Sequence, residues 1–132
     1  MFTTDITVRG YELDSFRHLN NAAYLNYLEL ARWEILKKTG YYNHFIETGL
    51  LLAVIDVHIR YMKEFVVFDE VILETHIRWE SPYLIFRHML VNKANGKKHA
   101  RATVKTLLLD KNRSITDFPE GFFDRLKATE SE

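Results

Sequence analysis

Asp14, His18, Asn20 and Asn21 share one polar run, Asp14-Ser15-Phe16-Arg17-His18-Leu19-Asn20-Asn21, between a segment that reads as a strand and one that reads as a helix. A carboxylate in that place can attack a carbonyl directly or draw a proton from water. The first N–H groups of a helix lack intrahelical partners and form its positive end, suited to a developing oxyanion. An acyl carbonyl polarised at residues 21–24 and attacked with help from Asp14 is therefore coherent chemistry. The same residue types also serve structure: Asp and Asn make turns and caps, and Asn21 as an N-cap would contribute roughly 1 kcal/mol. His18 taken alone reads first as a structural or surface residue. Glu29, among apolar neighbours within the helix, is expected to be buried polar support paired with His18, Arg9 or Arg32; a direct chemical role is the alternative.

The elements that must position this run follow from periodicity and punctuation. Residues 4–12 alternate as a first strand. Ala22 to Lys38 is Ala/Leu/Glu-rich, opens behind the Asn pair and closes at Gly40, which predicts the one long helix. Its apolar residues, including Leu25 and Leu30, spread around the helix, so burial on most sides is expected. A short helical turn over 41–47 precedes strands over 51–63, 69–80, 83–93 and 97–109, with Asn95-Gly96 as a hairpin turn. In the strand at 51–63, Ile55, Val57, Ile59 and Tyr61 are expected on one face. A helix from Pro119 to Lys127 and a frayed tail, Ala128–Glu132, end the chain. Connections this short force antiparallel pairing, and long strands twist. The fold class is therefore α+β: a strongly twisted antiparallel sheet wrapped around a long central helix. With Pro only at 82 and 119 and no linker-like stretch, residues 1–132 read as a single domain with a core of about 5–127.

Composition narrows the function classes. Lys+Arg and Asp+Glu are 18 each in 132 residues, so bulk charge does not point to a nucleic-acid binder. No apolar run is long enough for a membrane-inserting span, and the N-terminus lacks a signal-peptide pattern. Cys is absent, which removes thiolate chemistry; a cytoplasmic protein is the expectation. His44, His58, His76, His88 and His99 are dispersed, so no metal site is expected. Arg60, Lys63, Arg78 and Arg87 alternate along strands, as phosphate partners or as independent surface charges.

The run from Val8 to Glu29, Val8-Arg9-Gly10-Tyr11-Glu12-Leu13-Asp14 followed by His18-Leu19-Asn20-Asn21-Ala22-Ala23-Tyr24, resembles the signature of hotdog-fold acyl-CoA thioesterases, in the 4-hydroxybenzoyl-CoA thioesterase and YbgC-like branch. The resemblance implies that Asp14 is catalytic, that His18, Asn20 and Asn21 fall on the family's His-Val-Asn-Asn segment, and that the thioester oxygen meets backbone N–H groups near Asn21 and Ala22. It implies no cofactor, coenzyme A being part of the substrate, and a homodimer with active sites between subunits; a tetramer stays open. Tyr24, Tyr27, Leu28, Phe65 and Phe68 are candidates to line an acyl slot and equally read as plain core or interface residues; an aliphatic acyl group is slightly favoured over an aromatic one. Arg17, Arg60, Lys63 and Arg87 are candidates for the coenzyme phosphates. Two departures stand out. Arg17 replaces a frequent Gly, so the loop is expected without that residue's freedom at positive φ. Asn21 replaces a frequent His and cannot exchange a proton at neutral pH; it is read as orienting Asp14, water or the carbonyl. Competing readings are a carrier-protein thioesterase, a hotdog enoyl-thioester hydratase and a noncatalytic acyl-CoA-binding protein.

Overall fold

The computed structural model describes residues 1–130; Ser131 and Glu132, at the end of the expected frayed tail, lie outside the described residues. Five strands, β1 (Phe2–Thr7), β2 (Leu51–Tyr61), β3 (Glu70–Glu80), β4 (Tyr83–Asn92) and β5 (Lys98–Leu109), form one sheet in the order β1-β3-β4-β5-β2. Every neighbouring pair is antiparallel; the short connections require it between β3 and β4 and between β4 and β5, while β1–β3 and β2–β5 pair strands distant in sequence. Helices α1 (Asn21–Thr39), α2 (Tyr41–Thr48) and α3 (Phe122–Glu130) complete the α+β arrangement.

α1 lies on one sheet face. Ala23, Tyr24, Tyr27, Leu28, Ala31 and Ile35 form its buried stripe and join Leu73, Leu90, Ala100 and Val104 in the core. This spacing of three and four residues is that of a helix with one covered side. Leu25, Leu30 and Trp33 are exposed, so in the single chain α1 is not enclosed on most sides. Glu29 shares that open side: it is exposed, and its Oε1 accepts a hydrogen bond from Trp33 Nε1 at 3.3 Å rather than pairing with His18, Arg9 or Arg32. Gly40 ends α1 at φ 82°, its N–H donating to the Leu36 and Lys37 carbonyls.

Other boundaries moved for local reasons. The first strand stops at Thr7, and Gly10–Glu12 form a 3-10 turn. Glu12 draws the chain round by accepting from the Arg9 N–H at 2.9 Å and from its guanidinium at 3.1 and 3.2 Å. β2 carries a bulge between Val54 and Asp56, which takes Ile55 out of the simple alternation with Val57, Ile59 and Tyr61. Pro119 precedes α3 rather than opening it: its carbonyl accepts from Phe122 N–H at 3.1 Å, and Ala128 to Glu130 are helical instead of frayed. Among the described residues no helix is long and apolar enough to cross a membrane, and no cluster of metal-ligating side chains occurs.

Candidate active site

The Asp14 run folds into a closed turn of its own. Leu13 and Leu19 form an isolated antiparallel bridge, and Asp14 N–H donates to the His18 carbonyl at 2.8 Å. Inside the turn Asp14 Oδ1 accepts from Phe16 N–H at 2.9 Å and His18 N–H at 3.2 Å. One carboxylate oxygen is thus held by the backbone, while Oδ2 has no hydrogen bond among the described residues. Arg17 takes up the left-handed conformation, φ 63°, at the position where the resembling family often has Gly. Closure of the turn, with Arg17 N–H donating to the Asp14 carbonyl at 3.0 Å, outweighs the Cβ penalty of about 1–2 kcal/mol.

Leaving the turn, the chain is fixed at both ends of a short segment. Leu19 N–H donates to the Phe65 carbonyl and Asn20 N–H to the Glu12 carbonyl, both at 2.9 Å. Asn20, not Asn21, is the N-cap of α1: its side chain accepts from Ala22 N–H at 2.8 Å, and its carbonyl takes Ala23 N–H at 2.9 Å. The Ala22 amide expected to face a carbonyl oxygen is therefore already engaged. Asn21 N–H has no partner among the described residues and is the open donor of the helix start.

Aromatic groups pack behind this end. Tyr24 meets Tyr61 edge-on with ring centroids 4.8 Å apart and lies 6.3 Å from Phe65. Burial, followed by the charges of Tyr61, Glu64 and Asp14, pushes the Tyr24 phenol up to about 12. It stays protonated as a donor, within the electrostatic reach of Asp14. Tyr27 Oη donates to Glu12 Oε1 at 2.7 Å, and its ionisation too is pushed up, by burial and by that bond. Burial opposes ionisation of Glu12, but the Arg9 side-chain and backbone bonds and the Tyr27 hydroxyl outweigh it and hold the carboxyl below its ordinary range. The sequence offered Tyr27 as slot lining or as core and left Glu12 unassigned. Their shared hydrogen bond ties α1 to the chain just before Asp14, a link that only the three-dimensional packing reveals.

The remaining candidates separate. Leu28 and Phe65 are fully enclosed in the core, whereas Phe68 is 78% exposed with φ 69°. Phe68 N–H donates to the Val8 carbonyl at 2.9 Å, which sets its ring on the loop beside the first strand. His18 is half-buried and bonded through its backbone. Arg17 and Lys63 are exposed, Lys63 two residues past the end of β2. Arg60 and Arg87 project from the sheet face turned away from α1 and so do not meet the Asp14 turn on its own side. A separate cavity of about 240 Å³ opens between α1, α2 and the start of β2, lined by Glu29, Arg32, Trp33, Phe45, Ile46 and Leu52 among others.

A strand–turn–helix site of this kind on a sheet backed by one long helix defines a thioesterase-like domain. The chain belongs to the Thioesterase-like superfamily, whose family model matches residues 8–126. It is similar to the long-chain acyl-CoA thioesterase FadM of Escherichia coli, at 38% identity over 66 residues, 50% of this chain and 50% of FadM. The match thus spans about half the length of that curated relative. In fold it matches YbaW, a probable thioesterase from Escherichia coli, with TM-score 0.85 at 24% identity over 98% of each chain. It also matches Slr0204, a 1,4-dihydroxy-2-naphthoyl-CoA thioesterase from Synechocystis, with TM-score 0.87 at 15% identity over 96% of this chain and 95% of that one. The hotdog arrangement expected from the Val8–Glu29 run is the fold of this chain.

Proposed function

We propose that the chain hydrolyses an acyl-CoA thioester to a carboxylic acid and free coenzyme A. One observation carries the reading: Asp14, with one oxygen tied and one open, stands in a closed turn leading into a helix start whose Asn21 amide is unengaged. The thioester oxygen takes the Asn21 N–H as its charge grows. Asp14 either attacks the carbonyl carbon, giving an anhydride that water opens, or takes a proton from the attacking water. In both routes the C–S bond breaks, the thiolate leaves with a proton ultimately supplied by water, and the carboxylate is released. Ala22 N–H joins the oxyanion contact only if the Asn20 side chain yields it.

The working unit in this reading is a homodimer paired through β2. That strand is a sheet edge with a free row of backbone groups, and Val54, Ile55, Val57 and Tyr61 along it are exposed. An unpaired apolar edge of this length is a template for another strand. Antiparallel pairing of two β2 strands sets the Leu51 end of one beside the Tyr61 end of the other. The cavity lined by Trp33, Ile46 and Leu52 then faces the partner's Asp14 turn as an acyl slot, with Phe68 at its rim. An aliphatic chain suits that apolar lining, in keeping with the long-chain substrate class of FadM.

The test is thiol release from acetyl-, octanoyl-, palmitoyl- and benzoyl-CoA by the wild type and Asp14→Asn. Asn retains an oxygen for the Phe16 and His18 amides of the turn, so the loop survives while the base is lost. A fall of about 10²–10⁴-fold is expected. Equal rates remove Asp14 from the mechanism, and binding without release from any ester makes the chain a binding protein.

A further inference from the structure

The sheet face turned away from α1 is organised in a way that the thioester chemistry leaves unexplained. Cross-strand register lines up His76, Arg87, Thr103 and His58 in one row across β3, β4, β5 and β2. The next row on the same face sets Arg101 directly opposite Arg60. Like charges opposite one another on neighbouring strands weaken a sheet. A depression of about 730 Å³ on this face is lined by His58, His76, Arg78, Arg87, Arg101 and Thr103 among others and by no carboxylate, with Arg60 reaching it only as the residue opposite Arg101.

Not every cation here is open. Arg78 is taken by Glu80 at 3.1 Å, and Lys105 stands over the Tyr83 ring at 4.7 Å. Arg60, Arg87 and Arg101 have no hydrogen bond or ion pair among the described residues. The carboxylates of this face stand outside the depression: Asp56 lies opposite Lys105, Glu80 holds Arg78, Glu74 sits two strands from Arg101, and Asp5 and Glu70 lie towards the β1 edge. The chain's formal charge is zero, so this patch is a local concentration of charge rather than a consequence of a basic protein.

We propose that this outer sheet face binds an oligophosphate group. Guanidinium forks offer paired N–H donors matched to phosphate oxygens, and the imidazoles of His58 and His76 with the Thr103 hydroxyl supply further donors beside them. An anion laid between Arg60, Arg87 and Arg101 relieves their mutual repulsion. The depression has the volume of a nucleotide-sized ligand. Two sources carry this chemistry: a free nucleoside di- or triphosphate, and the phosphates of a coenzyme A ester. Arg60 adjoins Tyr61, which packs on Tyr24 at the start of α1, so the patch begins at the strand end that borders the Asp14 turn.

The test uses the intact protein and inorganic tripolyphosphate, followed by calorimetry at low and at physiological salt. Saturable binding that weakens with salt is expected, with at least a tenfold loss in Arg87→Glu/Arg101→Glu and a smaller loss in Arg101→Gln, whose single neutral change guards against misfolding. A melting curve matching the wild type qualifies each variant. Absence of saturable binding, or equal affinity in the variants, overturns the proposal. Hydrolysis assays with and without tripolyphosphate then separate the sources: a raised KM for acyl-CoA assigns the site to the substrate's own phosphates, and an unchanged KM assigns it to a separate nucleotide. The binding measurement reads the site whether or not thioesters are hydrolysed, so the two readings fail independently.

Discussion

Tyr27, on the buried stripe of α1, donates its hydroxyl to Glu12 two residues before the catalytic candidate Asp14. The contact joins an interior helix position to the 3-10 turn that launches the Asp14 loop, and Arg9 grips the same carboxylate from outside. Tyr27→Phe keeps the ring in the core and removes one donor. Stability is expected to fall by about 1–2 kcal/mol in urea unfolding, because Glu12 loses a donor in a partly buried place. If the bond positions Asp14 as well, kcat for thioester release falls more than KM rises. A loss of stability with unchanged kcat would confine the pair to a structural role.

Arg17 offers the opposite kind of change. It holds φ 63° in an exposed turn, and its side chain makes no hydrogen bond or ion pair among the described residues that truncation would remove. Arg17→Gly removes the Cβ conflict of the left-handed region while adding backbone freedom to the unfolded chain. The net expected gain is about 0.5 kcal/mol, read as a small upward shift of the denaturation midpoint. If Arg17 also meets a coenzyme phosphate, KM for acyl-CoA rises in the same variant that becomes more stable.

Much of this arrangement was legible in residue patterns, and the failures share a cause. Gly40 and the Asn95-Gly96 pair mark real chain reversals because positive φ favours these residues locally. The order of strands and helices follows from periodicity in the same local way. The enclosure of α1 did not follow, because Leu25, Leu30 and Trp33 have no cover within one chain and composition does not say who covers a residue. The cap fell to Asn20 rather than Asn21 because Asn20 alone has its carbonyl and side chain aimed at Ala23 and Ala22. Arg101 escaped notice since its significance lies in facing Arg60, a matter of strand register.

The capping contact separates stability from catalysis. Asn20→Ala removes the acceptor of Ala22 N–H and is expected to cost about 1 kcal/mol, measurable by chemical denaturation. It also frees a second amide beside Asn21 N–H. Under the proposed chemistry, kcat at a temperature well below unfolding then holds or rises, despite the weaker helix start. A drop in kcat matching that of Asp14→Asn would instead mean that the Asn20 side chain itself orients the reacting groups.

Acid sensitivity is set deep beneath α1. His88 is buried, with Nδ1 2.9 Å from Thr75 Oγ1 and Nε2 without a partner. Burial, reinforced by the nearby Arg32 charge, pushes its imidazole down to about 3. In the unfolded chain the same group titrates near 6.5. Above that value both states are neutral at His88 and the residue leaves stability unchanged with pH. As pH falls below it, the unfolded chain gains a proton that the folded chain refuses, so stability declines until the folded-state value is reached. The slope from this one residue approaches about 1.4 kcal/mol per pH unit. His99, enclosed against Phe65 at a ring distance of 4.5 Å, is lowered by burial as well and adds to the same decline. Melting temperatures of the wild type are therefore expected to drop from pH 6.5 towards pH 4, and His88→Gln, which can still meet Thr75, should flatten that drop while lowering stability at pH 7. An acid slope unchanged by His88→Gln would place the sensitivity on other groups.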